Sequence, residues 1–240
     1  MAEARVVRSF ALTDKIRSLT MELPGEVSPG QFLHIGCGEG LLLRRPISVC
    51  DADAGLVRIV FEVKGEGTQR LAAAKEGDAL DVLGPLGKGF TAPEKGRVLL
   101  VGGGLGSAPL LLAAKRFDCD AALGFPTADR VMLEEEFRER VGRLDIATDD
   151  GSYGYHGFVT ELVRGRLDGY AAIFACGPEP MLRALSKVCE GRPLQVSMER
   201  RMGCGVGACL VCAVKLTDGS VARACKDGPV FDAREVDWNG

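Results

Sequence analysis

Four cysteines near the end of the sequence have a spacing that could hold a metal centre. Cys204, Cys209, Cys212 and Cys225 follow the pattern C-x4-C-x2-C-x12-C, which matches plant-type [2Fe-2S] ligation. Two irons bridged by sulfides need four thiolates, three from one tight loop and a fourth from a neighbouring strand. The spacing therefore predicts a two-iron cluster on these four side chains.

The residues between the cysteines are suited to the same chemistry. Gly203, Gly205 and Gly207 allow unusual backbone angles and let amide N–H groups approach the cluster sulfurs. Two alternatives stay open. Four cysteines also bind zinc tetrahedrally, although structural zinc sites favour two separated C-x2-C pairs and one such pair is present here. The third possibility is four buried free thiols. The isolated Cys37, Cys50, Cys119 and Cys189 are expected to be small core or surface residues.

Two stretches in the first third of the sequence could bind a phosphorylated cofactor. RRPISV, residues 44–49, offers Arg45, whose guanidinium donates hydrogen bonds in pairs to a diphosphate, and Ser48, whose hydroxyl could reach a ring nitrogen. Gly65, Gly67 and Thr68 precede a predicted helix, whose first N–H groups and dipole favour phosphate. Taken singly, each stretch could equally be a solvated arginine or an ordinary turn.

A glycine-rich loop suggests a dinucleotide site further along the chain. VGGGLGSAPL, residues 101–110, follows a predicted buried strand and opens a helix, which is where a nucleotide diphosphate binds. We expect Gly102, Gly103 and Gly104 to contact it, although Ser107 departs from the G-x-G-x-x-G pattern. TDDGS (148–152) and CGPEPM (176–181) end later strands on the same rim of the sheet. In the second, Cys176 and Gly177 could meet a nicotinamide, or the cysteine could fill the top of the core.

Two strand patterns must position these residues. Up to about residue 90, short strands between Pro, Gly and Asp turn signals predict a small antiparallel barrel, interrupted by a helix TQRLAAAK with Thr68 as its N-cap. From Arg97, five apolar strands alternate with four amphipathic helices, which predicts a doubly wound parallel sheet. The last forty residues fit neither pattern. We therefore predict three domains, at residues 1–93, 94–192 and 193–240.

Composition narrows the class of partner and compartment. The chain of 240 residues has 46% hydrophobic and 26% charged residues with a net charge of −3, which is ordinary for a globular protein and gives no basic face for nucleic acid. The N-terminus has no signal-peptide pattern, and glycines and a proline interrupt the longest uncharged run, residues 98–114, so we predict no membrane span. Nine cysteines without an export signal favour metal binding in the reducing cytoplasm.

The order of the motifs resembles the ferredoxin-NADP reductase superfamily: a barrel, RPxS, G-x-G-T, GGG-x-G, CGP-x-x-M and a terminal cysteine cluster. Within it, the chain is similar to the electron-transfer subunits of the two-subunit, NAD-dependent (type 1B) dihydroorotate dehydrogenases. The likeness spans essentially the whole chain. Its most specific part is SMERRMGCGVGACLVCAVK followed by ARACKDGPVFDAREVDW.

The resemblance implies an FAD barrel, an NAD domain and a [2Fe-2S] domain. It places the arginine of the RPxS motif on the FAD diphosphate and the serine near the isoalloxazine, with a triplet beside the flavin and G-x-G-T at its phosphates. Phe61 keeps the aromatic residue common in that triplet, whereas Glu62 replaces the usual basic residue. The FAD set is Arg45, Pro46, Ile47, Ser48, Val60, Phe61, Glu62, Gly67 and Thr68, and the four spaced cysteines are the implied cluster ligands.

The resemblance also implies a partner. An FMN-containing catalytic subunit would oxidise dihydroorotate to orotate in pyrimidine biosynthesis, and its electrons would pass through the cluster and FAD to NAD⁺ in a stable heterotetramer. A flavin is needed because nicotinamide exchanges electrons in pairs and the cluster singly. A related NAD(P)H-oxidoreductase subunit serving a sulfide dehydrogenase, hydrogenase or transhydrogenase is the alternative. A zinc-stabilised nucleotide-binding regulator is another. The two histidines, His34 and His156, are predicted to be structural.

Overall fold

The first part of the chain is a closed six-stranded barrel. The structure is a computed structural model that describes residues 2–239. The strands run in the order β1-β2-β5-β4-β3-β6 around the barrel, and every neighbouring pair that is hydrogen-bonded is antiparallel. The elements are β1 (Ala2–Ala11), β2 (Ile16–Glu22), β3 (Phe32–Ile35), β4 (Arg45–Asp53), β5 (Leu56–Glu62), α1 (Glu66–Ala72) and β6 (Ala79–Leu86).

Strand β3 is buried on both of its faces. Successive side chains of a strand point to opposite faces, so Leu33 and Ile35 pack in the barrel core while Phe32 and His34 face the rest of the molecule. Phe32 belongs to the core of the following domain. The strand therefore joins the barrel to its neighbours through these two outward side chains.

Helix α1 begins three residues earlier than an N-cap at Thr68 predicts. Its N-cap is Gly65, and the prediction that Thr68 caps the helix is wrong. Thr68 lies in the first turn, where its Oγ1 accepts hydrogen bonds from the backbone N–H groups of Lys64 (2.9 Å) and Gly65 (3.1 Å). A hydroxyl at this third helical position satisfies backbone donors that precede the helix, which is the reciprocal half of a capping box.

A doubly wound α/β sheet follows the barrel and confirms the predicted fold class. Strands β7 and β8 are almost wholly buried because helices cover both faces of a parallel sheet. The elements are β7 (Arg97–Gly103), α2 (Leu110–Arg116), β8 (Cys119–Phe125), α3 (Glu134–Arg138), β9 (Leu144–Thr148), β10 (Tyr155–His156), α4 (Val159–Arg164), β11 (Tyr170–Cys176), α5 (Glu179–Val188) and β12 (Leu194–Ser197), with 3₁₀ turns at Gly104–Ser107 and Ala128–Arg130.

The sheet has two strands more than the sequence pattern predicts. Its order is β10-β9-β8-β7-β11-β12-β15, and the strand order reverses between β7 and β11. The added edge strand β15 (Val230–Asp232) comes from the cysteine-rich region and pairs antiparallel with β12. The same region contributes a hairpin of β13 (Ala213–Lys215) and β14 (Val221–Arg223). The last forty residues are thus hydrogen-bonded to the sheet, and the predicted domain boundaries stay predictions.

One predicted helix is much shorter in the structure. The segment DRVMLEEEFRER forms a 3₁₀ turn and the five-residue α3, because Leu133 adopts a left-handed conformation with φ +60° that interrupts the helical path. Within residues 2–239, no helix is long and apolar enough to span a membrane.

Candidate redox site

A cleft between the barrel and the sheet contains most of the residues predicted to bind FAD. Its volume is about 290 Å³. Arginine and lysine side chains on its walls provide positive charge for a phosphorylated ligand. The predicted residues that line it are Arg45, Pro46, Ile47, Ser48, Val60, Phe61, Glu62 and Thr68.

The other residues that line the cleft escaped prediction. They are Phe32, the segment 197–200, Met202 and Pro229, together with Leu105 and Pro109 from the start of the glycine-rich loop and helix. Most of these are apolar or small side chains whose types carry no chemical signal in a sequence. Only the fold brings them together with the RPIS strand.

Lys64 supplies a positively charged side chain close to Glu62, which stands where the family commonly has a basic residue. The Lys64 ammonium forms a 2.9 Å ion pair with the Glu62 carboxylate, and both residues line the cleft. Residues two apart on an extended chain share a face, so the positive charge is available at the same wall. Sequence reasoning considered the triplet alone and missed Lys64.

Gly67 lies directly beneath the predicted phosphate-binding arginine. A Cβ atom added to Gly67 would come within 2.5–2.6 Å of three atoms of the Arg45 guanidinium. The glycine therefore sets where the Arg45 head group can lie.

Gly67→Ala is expected to weaken FAD binding roughly tenfold, because Arg45 must move away from its position and lose part of a charge-assisted contact. The apo-protein should keep or slightly raise its melting temperature, since alanine favours helix over glycine by about 1 kcal/mol. Fluorescence titration of apo-protein with FAD checks the affinity. Gly65→Ala is the matched control, because no atom lies within 4 Å of its added Cβ; equal FAD affinities in the two variants would contradict the role given to Gly67.

A second cleft lies at the carboxyl ends of the sheet strands, beside the point where the strand order reverses. Its volume is about 430 Å³, and ligands bind at such switch points in doubly wound sheets. Gly103 and Gly104 line it after β7, Asp149 after β9, and Pro178 and Met181 after β11. Among its described lining residues the charged group is the Asp149 carboxylate, and the remainder is mainly apolar.

Gly102, Cys176 and Gly177 stand within two residues of Gly103 or Pro178 in the chain, but they are not among the lining residues of this second cleft. Gly102 is the register partner of Cys176 in the paired strands β7 and β11, and a Cβ on Gly106 would lie 2.5 Å from the Cys176 carbonyl oxygen. Burial raises the pKa of Cys176 to about 12, so its thiol stays protonated at neutral pH. Contacts of these three residues with NAD stay a prediction.

The four spaced cysteines come together as two pairs. The Cys204 and Cys209 Sγ atoms are 3.4 Å apart. Cys212 is the neighbour of Cys225. Burial raises the pKa of Cys225, and the hydrogen bond and negative charge of Cys212 raise it further. Two irons bridged by sulfide take two thiolates each, whereas one zinc ion takes four around a single centre. Across residues 2–239, no group of three or more His, Cys, Asp or Glu side chains is arranged to hold a single metal ion.

Backbone N–H groups of the loop point at the sulfurs. The Gly207 N–H donates to Cys225 Sγ at 3.2 Å and the Cys209 N–H to Cys204 Sγ at 3.4 Å. Gly205 and Gly207 have φ values of +73° and +80°, which turn the backbone inward at no steric cost. The N–H groups of Val206 and Cys209 lower the pKa of Cys204, and such donors favour the thiolate that binds iron. The donor set therefore fits a two-iron cluster.

The cysteine loop, residues 203–212, packs into the same core as residues that line the first cleft, the predicted flavin cleft. Phe32, Met198 and Met202 line the cleft and pack in the same hydrophobic core as Cys212 and Cys225. The loop that begins at Gly103 contributes Leu105 to the flavin cleft and Gly104 to the second cleft, and so connects these two clefts. Three candidate sites are thus arranged in series.

An antiparallel barrel followed by a doubly wound domain, with thiols beside the cleft between them, defines a flavin-dependent reductase with an iron-sulfur region. Residues 199–237 match the family described as the iron-sulfur cluster binding domain of dihydroorotate dehydrogenase B. The chain is 44% identical to the dihydroorotate dehydrogenase B (NAD(+)) electron transfer subunit of Geobacillus thermodenitrificans, covering 96% of each chain. It is 41% identical to the subunit of the same name from Caldanaerobacter subterraneus, covering 98% of this chain and 97% of that one. The chain belongs to this family of electron transfer subunits.

Solved structures agree with that assignment. The structure of an NADH-dependent reduced ferredoxin-NADP oxidoreductase that bifurcates electrons is 34% identical with a TM-score of 0.90, covering all of this chain and 91% of that one. The ferredoxin reductase in carbazole 1,9a-dioxygenase, at 22% identity and a TM-score of 0.69 over 81% of this chain and 68% of that one, shares the fold. The cofactors of this oxidoreductase fold with its iron-sulfur domain are FAD, NAD and the cluster.

Proposed function

We propose that this chain carries electrons from an FMN-containing dihydroorotate dehydrogenase catalytic subunit, through its [2Fe-2S] cluster and FAD, to NAD⁺ in pyrimidine biosynthesis. The observation that carries the proposal is the serial arrangement of the cysteine loop, the flavin cleft and the second cleft. Met202 lines the flavin cleft and packs in the same core as two of the cysteines. The Gly103–Leu105 loop lines both the flavin cleft and the second cleft. The names of relatives that match nearly the full chain support the choice of substrate and partner.

The barrel residues bind and orient FAD. Arg45 holds the diphosphate, supported from below by Gly67, and the first turn of α1 around Thr68 adds backbone donors. Pro46, Ile47 and Ser48 line the flavin from β4, and the residues Val60, Phe61 and Glu62 line it from β5. Once bound, FAD exchanges hydride with nicotinamide and single electrons with the cluster.

The other cofactors have their own residues. Cys204, Cys209, Cys212 and Cys225 would hold the cluster through their thiolates. NAD⁺ binds in the second cleft against Gly103 and Gly104. Gly102, Cys176 and Gly177 stand next to these lining residues at the ends of β7 and β11, and they support the nucleotide site from there. Because four reduced thiols are required, the protein works in the reducing cytoplasm.

The partner docks over the cysteine loop. Val206, Leu210 and Val211 are 50%, 68% and 58% exposed, and they surround the thiols in sequence. Exposed apolar side chains in one loop mark a protein interaction site, and electron transfer requires the partner's redox group to come close. The occupant is the FMN-containing catalytic subunit, in a heterotetramer.

Co-expression with a dihydroorotate dehydrogenase catalytic subunit tests this function. We expect a stable complex with two copies of each chain by light scattering, containing FMN, FAD and iron, which forms orotate from dihydroorotate with NAD⁺ as acceptor. The catalytic subunit alone should not reduce NAD⁺. No complex, or a complex that does not use NAD⁺, would contradict the proposal.

The similarity to the bifurcating oxidoreductase favours a second candidate, a subunit that serves a transhydrogenase. In that case the chain would not form a complex with the dihydroorotate dehydrogenase catalytic subunit and would bind a transhydrogenase partner instead. The same co-expression experiment separates the two candidates, because the first forms a complex with the dihydroorotate dehydrogenase subunit and the second does not. The first is favoured, since the relatives that are 41–45% identical are dihydroorotate dehydrogenase subunits and the bifurcating oxidoreductase is 34% identical.

A further inference from the structure

His34 is a fully buried polar side chain between the flavin cleft and the cysteine loop. It is 0% exposed, and neither of its ring nitrogens has a hydrogen-bond partner among residues 2–239. A buried imidazole presents a donor and an acceptor, and leaving both unpaired is costly. A structural role is the sequence-based expectation for His34, but an apolar residue would fill a structural position without this cost.

The ring lies directly against the segment that carries the first cysteine of the loop. A Cβ on Gly205 would be 2.4 Å from His34 Nδ1 and 3.1 Å from its Cγ, so only a glycine permits this approach. The imidazole and the Cys204–Gly205 backbone are therefore in contact.

The backbone of His34 is held on the flavin side. In the barrel, His34 is the cross-strand partner of Pro46 in β4, and such partners project to the same face of a sheet. Phe32, two residues earlier on the same face, lines the flavin cleft. Arg44 also donates a 3.3 Å hydrogen bond to the His34 carbonyl. The side chain thus projects from the strand pair that lines the flavin cleft to the loop that carries the thiols.

We propose that His34 is a positioning residue that donates a ring N–H to the iron-sulfur cluster at Cys204, fixing the Cys204–Gly205 segment against the barrel and raising the cluster's reduction potential. The proposal rests on the four-cysteine ligand set described above. Reduction adds negative charge to the cluster sulfurs, so a nearby hydrogen-bond donor stabilises the reduced state more than the oxidised state. The ring itself gains and loses no electrons.

The two-histidine composition of the chain makes the proposal directly measurable. The full chain is labelled with ¹⁵N-histidine, reconstituted with iron, sulfide and FAD, and reduced with dithionite for pulsed EPR. We expect a weak coupling between the reduced cluster and a histidine nitrogen in the wild type. The coupling should persist in the control His156→Gln, whose residue is exposed on β10, and disappear in His34→Leu.

Potentiometric titration of the cluster EPR signal gives the second readout. His34→Leu should shift the equilibrium roughly tenfold toward the oxidised cluster, the effect of losing one hydrogen bond to a charged group. His34→Gln retains an N–H donor and should recover part of the shift, whereas a merely structural residue would leave the potential of both variants unchanged. Cluster content per chain should stay near the wild-type value.

The outcomes separate this proposal from the proposed function. A wild-type protein that shows the reduced cluster signal without histidine coupling overturns the role of His34 and leaves the ligand set intact. An unchanged potential in His34→Leu does the same. Iron-free wild-type protein overturns both. If His34→Leu does not fold, the wild-type coupling and the His156→Gln control decide the matter alone.

Discussion

Cys225→Ser protein should lack the iron-sulfur cluster while its FAD is still reduced by NADH. Cys225 is the most distant ligand in sequence and closes the loop from the end of β14, where the Gly207 N–H donates to its sulfur. A serine hydroxyl is not a thiolate and leaves one iron without its ligand. Iron should fall from about two atoms per chain to near zero, with loss of the visible cluster bands and of electron transfer to the partner. Anaerobic stopped-flow absorbance measures FAD reduction in the same preparation.

Cys37→Ser is the matched control for this variant. Cys37 is also buried, and its thiol lies 3.7 Å from the Ile35 carbonyl oxygen, an acceptor that serine can use as well. This variant should keep full iron content and full electron transfer. A complete cluster in Cys225→Ser protein would show that the ligand set is assigned incorrectly.

Arg45→Ala is expected to weaken FAD binding by about 10- to 100-fold, the loss of charge-assisted hydrogen bonds to a phosphate group. Arg45 is the first residue of β4, and its guanidinium packs against Gly67 at the start of α1. These contacts hold the positive charge in one place in the cleft. Isothermal titration of apo-protein with FAD gives the affinity. Iron content should be unchanged, because Arg45 is far from the four cysteines in the sequence and is not part of the hydrophobic core that contains Cys212 and Cys225.

Arg45→Lys separates charge from geometry. Lysine keeps the positive charge but lacks the planar fork that binds a diphosphate through paired N–H groups. We expect an affinity between those of the wild type and Arg45→Ala. An Arg45→Ala variant that binds FAD as tightly as the wild type would remove Arg45 from the FAD site.

Spacing and order made much of this molecule predictable. Ligation fixes both the residue type and the interval, so the four cysteines stand out from the other five without any structural information. The barrel and the doubly wound sheet were predictable because their strand periods differ and because turn signals separate them. Gly103 and Gly104, Asp149, and Pro178 lie at the carboxyl ends of three sheet strands and line the second cleft, as the rim argument expects.

Tertiary contacts explain what the sequence pattern could not provide. Strand β15 is only three residues long and pairs antiparallel across a distant stretch of chain, so no local period marks it. Phe32, Met198 and Met202 are ordinary core residues in the sequence and become the wall between the flavin cleft and the cysteine loop only through packing. Thr68 was misread as an N-cap because its hydroxyl serves the same backbone donors from inside the first turn.

Rapid-freeze EPR of the reconstituted chain mixed anaerobically with NADH asks whether electrons pass from nicotinamide through FAD to the cluster within this one polypeptide. We expect the FAD absorbance to fall first and the signal of a reduced [2Fe-2S] cluster to rise after it in the same sample. A flavin that is reduced while no cluster signal develops, in protein that contains its full iron, would contradict the serial arrangement of the three sites.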